Sequence, residues 1–271
     1  MSNRPKIMGI INATPDSFSD GGRFFDSDTA IAHGLRLVRD GADILDVGGE
    51  STRPGAEEVP VDEEIARVVP VVRALRAQTD SLISIDTRKP EVAIAAVEAG
   101  ATIWNDVTAL EFSPDSIATA RTLGCDIVLM HAQGDPKTMQ AAPRYHDVVE
   151  DVYDYLSRRI ACCVNAGISE ERLSVDPGIG FGKTTEHNLL LLGRLDRFAQ
   201  LGRPVLLGAS RKRFIAAIDG DGPADTRLGG SLAAALAGMA HGCAVIRVHD
   251  VAETRQALNI AGAIENPHLW R

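Results

Sequence analysis

Carboxylates, amides and cations recur along this chain at positions that close, or directly follow, short apolar runs. They are Asn12; Asp46 and Glu50; Asp86; Asn105 and Asp106; His131; Asp176; Ser210, Arg211 and Lys212; and Arg247, His249 and Asp250. One such residue could cap a helix or hold a loop amide. Eight runs ending this way describe a ring of convergent side chains, which reads as a ligand site. The ring has two chemically distinct parts. Asp86, Asn105 and Asp176 offer carboxylates and an amide, and buried together they suit the N–H edge of a flat heterocycle. Arg53, Lys212, Arg247 and His249, helped by Asn12, suit phosphate or diphosphate oxygens. Asn12 could also ligate Mg²⁺, which takes few protein ligands beside phosphate and water.

Positioning such a ring takes a repeating architecture. Apolar strand-like runs fall at 7–12, 44–47, 82–86, 103–105, 126–130, 173–176, 205–208 and 245–248. Helical periodicity occupies 29–39, 63–79, 90–99, 114–123, 148–166, 187–201, 228–241 and 251–264. Strands alternating with helices pair in parallel, and eight such units in 271 residues match one (β/α)8 TIM barrel spanning the chain. A doubly wound open sheet is the other architecture this order allows. Gly41, Gly100, Gly124, Gly167, Gly202 and Gly242 each fall between a helix and the next strand, where a helix-terminating glycine belongs. Two connections are long. About 16 residues follow Asn12 and about 14 follow Val47, where 2 to 6 are usual. Both leave strands, so in a barrel both rise over the face that carries active sites.

Composition narrows the partners. The apolar content of 45% supports a sizeable core, which excludes intrinsic disorder. A net charge of −9 argues against nucleic acid or an anionic membrane as partner, though a local cationic cluster still suits a small anion. No apolar run reaches the length of a membrane span, and the N-terminus lacks the apolar centre of a signal peptide. Cys125, Cys162, Cys163 and Cys243 lack CxxC spacing, as expected of reduced thiols in a cytoplasmic protein. The stretch 178–184 resembles a P-loop but has Pro177 where the first glycine should stand. It is read instead as a glycine loop that presents Phe181 to a ligand. No HExxH or GxSxG motif is present. His33, His146, His187 and His268 read as surface or capping residues.

Nine segments taken together carry a family resemblance. They are MGIINATPDSFSDGG from Met8, ESTRPG from Glu50, SIDT from Ser84, NDV from Asn105, MHAQG from Met130, DPGIGFGK from Asp176, SRK from Ser210, GSLAAALA from Gly230 and RVHDV from Arg247. In this order the chain resembles dihydropteroate synthase, a pterin-binding barrel family. The resemblance implies a homodimeric, Mg²⁺-using enzyme of folate biosynthesis and a target of sulfonamides. Its reaction condenses 6-hydroxymethyl-7,8-dihydropterin diphosphate with 4-aminobenzoate to give 7,8-dihydropteroate and pyrophosphate. Carried over, Asp86, Asn105, Asp176 and Lys212 hold the pterin. Thr52, Arg53, Arg247 and His249 surround the diphosphate, and Asn12 meets the metal. Phe18, Thr52, Pro54, Phe181, Lys212 and Arg213 line the aminobenzoate site. Asp86, Arg53 and Lys212 carry the catalytic roles.

Three positions depart from the family pattern. Ala132 stands where many members have Met, which loosens one wall of the pterin pocket. Arg213 stands where many have Ser, and Trp104 replaces smaller aliphatics. The GFGK loop has no extra residue beside Phe181, unlike sulfonamide-resistant relatives, so sulfonamide sensitivity is expected. A pterin-dependent methyltransferase domain and a non-catalytic pterin-binding homologue are the competing readings. The first has no need of a diphosphate cradle, and the second should show losses in the loops or cations.

Overall fold

A computed structural model describes residues 4–14, 27–51, 56–134 and 143–270. The strands are β1 (Lys6–Asn12), β2 (Ile44–Gly48), β3 (Leu82–Asp86), β4 (Ile103–Asp106), β5 (Asp126–Met130), β6 (Leu173–Asp176), β7 (Leu206–Leu207) and β8 (Val245–Val248). All pair in parallel in the order β6-β5-β4-β3-β2-β1-β8-β7. A parallel bridge between Val175 and Val205, with Val175 N donating to Pro204 O (2.9 Å), joins β6 to β7 and closes the ring. This is the (β/α)8 barrel expected from the alternating pattern; the open doubly wound sheet is not formed.

Ten α-helices cover the outside among the described residues: α1 (Ser27–Asp40), α2 (Val61–Arg76), α3 (Pro90–Glu98), α4 (Ser116–Leu123), α5 (Val148–Asn165), α6 (Thr185–Leu192), α7 (Leu195–Ala199), α8 (Arg213–Asp219), α9 (Leu228–Ala240) and α10 (Val251–Glu265). Two differ from the periodicity. The single helix expected over 187–201 is broken at Gly193–Arg194 into α6 and α7, and α8 fills a stretch read as loop. His187 caps α6 reciprocally with Thr184, as a capping residue should. The six inter-element glycines all take positive φ, from 69° at Gly124 and Gly202 to 118° at Gly100, which lets each helix stop abruptly before its strand. All four cysteines are free. No helix among the described residues is long and apolar enough to cross a membrane.

Alternation along the strands stacks the barrel interior in layers. At the bottom lies an apolar plug of Met8, Ile44, Ile103, Val128 and Leu206. Two residues further along β2, β3, β4 and β8 come Asp46, Ser84, Asn105 and Arg247. Another step brings Asn12, Gly48 and Asp86 to the mouth. The larger core fills the space between strands and helices, with Ile7, Leu45, Ile83, Ile85, Trp104 and Leu129 fully buried. The same period of two therefore sends one set of side chains into the wall and the other up a gradient from apolar to charged.

Candidate active site

The mouth holds a cavity of about 910 Å³ lined by residues from the ends of β1, β3, β7 and β8 and from the glycine loop after β6. Its floor is an ion-paired triad. Arg247 Nε donates to Asp46 Oδ2 (2.6 Å) and Nη2 donates to Asp86 Oδ2 (2.6 Å). Asn105 Nδ2 also donates to Asp46 Oδ2 (3.3 Å), so one oxygen of a fully buried carboxylate anchors both neighbours. The other, Asp46 Oδ1, has no partner among the described residues. Burial pushes the Asp86 carboxyl up; Arg247 pulls against that, and the neighbouring Asp46 charge adds to the rise. Burial alone would lower the Arg247 guanidinium, but Asp46 and Asp86 outweigh it and raise it.

On the opposite side, β6 ends in Asp176, which accepts from Gly178 N (2.7 Å). Glycine is required at this turn: a side chain at Gly178, φ 70°, would put its Cβ 1.9 Å from the His131 carbonyl oxygen. The loop passes over Lys212, leaving its Nζ 4.1 Å from the centre of the Phe181 ring. Lys212 is held down to about 8 by burial and by Arg247, with Asp176 and Asp86 opposing. The chain turns sharply after β7 at Arg211, whose φ of 59° is left-handed. That conformation is overdetermined. Ser231 Oγ accepts Arg211 N (2.9 Å), Arg227 Nη1 donates to Arg211 O (3.0 Å), and the Arg211 guanidinium pairs with Asp250. The turn brings Ser210, Lys212 and Arg213 to one cavity, where Arg213 opens α8 on the rim. His249 joins them from β8; its ring is pushed down to about 3 by burial and by Arg247, Arg211 and Lys212.

Several strand-end residues are spent on structure. Asp106 is fully buried and accepts from Thr108 N, Thr108 Oγ1 and Leu110 N at 2.7–2.8 Å. It holds its own loop through the left-handed residues Ala109 and Leu110. Glu50 accepts from Lys89 Nζ (2.6 Å), Arg88 Nε (3.0 Å) and Val59 N (2.8 Å), which pins the base of the connection after β2. His131 Nδ1 lies 2.9 Å from Lys183 Nζ, a buried ammonium that also donates to the Phe181 carbonyl (3.0 Å). Lys183 borders the cavity; it is not among the residues expected from the sequence to have a role, and its place two residues after Phe181 is the available signal. Trp104 faces the outer core and donates to the Thr87 carbonyl (2.7 Å), tying together the exits of β3 and β4.

Of the expected site residues, Asn12, Asp86, Phe181, Lys212, Arg213, Arg247 and His249 line the cavity. Asn105 and Asp176 lie beneath it, buried. Phe18, Thr52, Arg53 and Pro54 lie outside the described residues. A second cavity of about 430 Å³ shares Glu50, Ser51, Asp86 and Phe181 with the first and is bounded by Ala132, Val107 and Phe112. Among the described residues no group of three His, Cys, Asp or Glu could hold a metal ion. Asn12, half-buried on the wall, is one oxygen donor, which fits Mg²⁺ only as a cation that a diphosphate also ligates.

Residues 8–249 match the family model described as pterin binding enzyme. The dihydropteroate synthase of Escherichia coli K12 is 48% identical over 261 residues, covering 96% of this chain and 92% of that one. The chain belongs to the dihydropteroate synthase family of pterin-binding enzymes. The Xanthomonas albilineans dihydropteroate synthase, solved with 4-aminobenzoic acid, superposes with a TM-score of 0.92 at 50% identity, over 97% of this chain and 94% of that one. The Yersinia pestis dihydropteroate synthase, solved as a sulfonamide drug complex, gives 0.93 at 43% identity, over 98% and 96%. Membership makes the chain a transferase of folate biosynthesis.

Proposed function

We propose that the two cavities receive the family's substrates with the charges divided as the geometry divides them. The observation carrying this reading is the Asp46–Arg247–Asp86 triad. Asp86 accepts from a planar guanidinium, and the N–H edge of a 2-aminopyrimidinone offers a planar fork of the same kind. Asp86, Asn105, Asp176 and Lys212 hold the pterin. Arg247, anchored on Asp46, reaches from the pterin-binding carboxylate of Asp86 toward the diphosphate, which Thr52, Arg53 and His249 also meet. The aminobenzoate lies against Phe181 and Lys212 with its carboxylate toward the N-terminus of α8, where the exposed Arg213 adds attraction. Phe18, Thr52, Arg53 and Pro54 complete the site from the two long connections.

The chemistry follows from where charge develops. The bond from the exocyclic methylene to the diphosphate oxygen breaks early, leaving cationic character on the pterin and negative charge on pyrophosphate. The Asp86 carboxylate, poorly solvated and held by Arg247, favours the first in its ionised form; Arg247, His249 and Lys212 favour the second. The aromatic amine then forms its C–N bond and loses a proton to solvent. Such an amine is a competent nucleophile near neutral pH, so no general base is assigned. Asn12 would hold Mg²⁺ through the substrate's diphosphate, and the ion would neutralise part of the leaving charge. The protein works as a cytoplasmic homodimer and binds sulfonamides in place of aminobenzoate.

The test is an assay with the pterin diphosphate, 4-aminobenzoate and Mg²⁺ that follows dihydropteroate and pyrophosphate together. One-to-one appearance of both is expected. Pterin binding without product would overturn the reading in favour of a non-catalytic homologue, with Ala132 and Arg213 the first positions to revert.

A further inference from the structure

Ser210 stands at the β7 exit facing His249 at the β8 exit, and the pair makes two contacts in opposite senses. The backbone N–H of His249 donates to Ser210 Oγ (3.3 Å), and the same Oγ lies 3.0 Å from His249 Nδ1. Ser210 is only 7% exposed, so a hydroxyl proton without an acceptor would be costly there. Its oxygen already takes the amide proton, and among the described residues Nδ1 is the one acceptor within its reach. Donation by the hydroxyl to Nδ1 satisfies both groups at once, and it leaves that nitrogen bare with the ring proton on Nε2.

We infer that Ser210 is a positioning residue that fixes the tautomer of His249, so that a neutral ring presents Nε2–H to the cavity. Nε2 has no protein partner among the described residues, and the ring lines the cavity. The cations facing the ring act in the same direction. Arg247, Arg211 and Lys212 oppose a second proton, and Asp250, which favours one, is tied to Arg211. A neutral donor of fixed direction suits a multiply charged leaving group. It hydrogen-bonds the departing pyrophosphate without trapping it as an additional full cation would. The overdetermined turn at Arg211 supplies the rigidity, because it sets where Ser210 can point. The inference rests on the proposed placement of His249 at the diphosphate.

The test is ¹⁵N NMR of histidine-labelled protein, with the His249 signals assigned through His249→Gln. Wild type should show the Nε2–H form alone. Ser210→Ala should show a mixture of tautomers and a fall of about tenfold in kcat/KM for the pterin diphosphate, with the KM for 4-aminobenzoate unchanged. Ser210→Thr, which keeps the hydroxyl, should restore the single tautomer and most of the rate. Nδ1–H in wild type, or a single Nε2–H form surviving in Ser210→Ala, would overturn the inference. A mixture of tautomers with unchanged kinetics would leave the Ser210 assignment standing and remove His249 from the diphosphate.

Discussion

The exits of β4 and β5 and the exits of β7 and β8 carry similar residues and put them to opposite uses. Asp106 ends β4 and His131 follows β5, yet the first is consumed by three donors from its own loop and the second by the Lys183 amino group. Lys212 after β7, Arg247 within β8 and His249 just after it line the cavity, and Lys212 and His249 keep hydrogen-bonding capacity toward it. The difference lies in the connection after the strand. After β4 the chain folds back at once, through left-handed Ala109 and Leu110, so backbone amides reach the carboxylate. After β7 the turn at Arg211 is held by Ser231, Arg227 and Asp250, which leaves the neighbouring side chains unspent. A strand-end charge is a binding group only where its own loop cannot satisfy it.

The sharpest way to break this comparison is to exchange charge for shape on each side. Asp86→Asn keeps the size of the side chain and removes its charge from the triad. Turnover should fall by about 10³-fold with the fold retained, as for loss of a preorganised transition-state contact. Circular dichroism and steady-state rates check both halves, and near-normal turnover would take Asp86 out of the mechanism. Asp106→Ala should do the reverse. It strands buried amides of its loop and should cost about 3 kcal/mol in denaturant unfolding, with kcat per folded molecule changed by less than about tenfold.

The smallest effect concerns pH. Burial, followed by the Lys183 charge, holds the His131 ring down to about 2, so the folded state keeps it neutral while the unfolded chain protonates it below about 6.5. The unfolded state then binds more protons, and this group's contribution falls as pH falls. Measured against His131→Asn, the stability of wild type should drop by about 1.4 kcal/mol per pH unit below pH 6. A gap that does not change with pH would mean that His131 is charged in the native barrel, and that its pairing with Lys183 is wrong.

Much of this was legible in advance because the barrel repeats one rule eight times. Alternating apolar runs, positive-φ glycines at helix ends and polar residues at strand ends are local properties, and the parallel barrel follows from them. The break at Gly193–Arg194 and the short helix α8 escaped because neither interrupts the apolar pattern strongly. Lys183 escaped for another reason. A buried lysine within a glycine loop carries no local mark of which carbonyls and which histidine will surround it.

By itself the sequence determined the chemical inventory: which strand ends would be acidic, which cationic, and that the acidic and cationic sets would meet at one end of a barrel. The tertiary structure alone decided which of those groups remain available. Asp46 and Arg247 stand 201 positions apart, and Asp86 and Arg247 stand 161 apart, yet one guanidinium bridges both carboxylates. Hydrogen bonds and ion pairs saturate. Whether a charge is spent on its own loop or left for a ligand depends on every donor within about 3 Å of it, and that neighbourhood exists only once the barrel has closed.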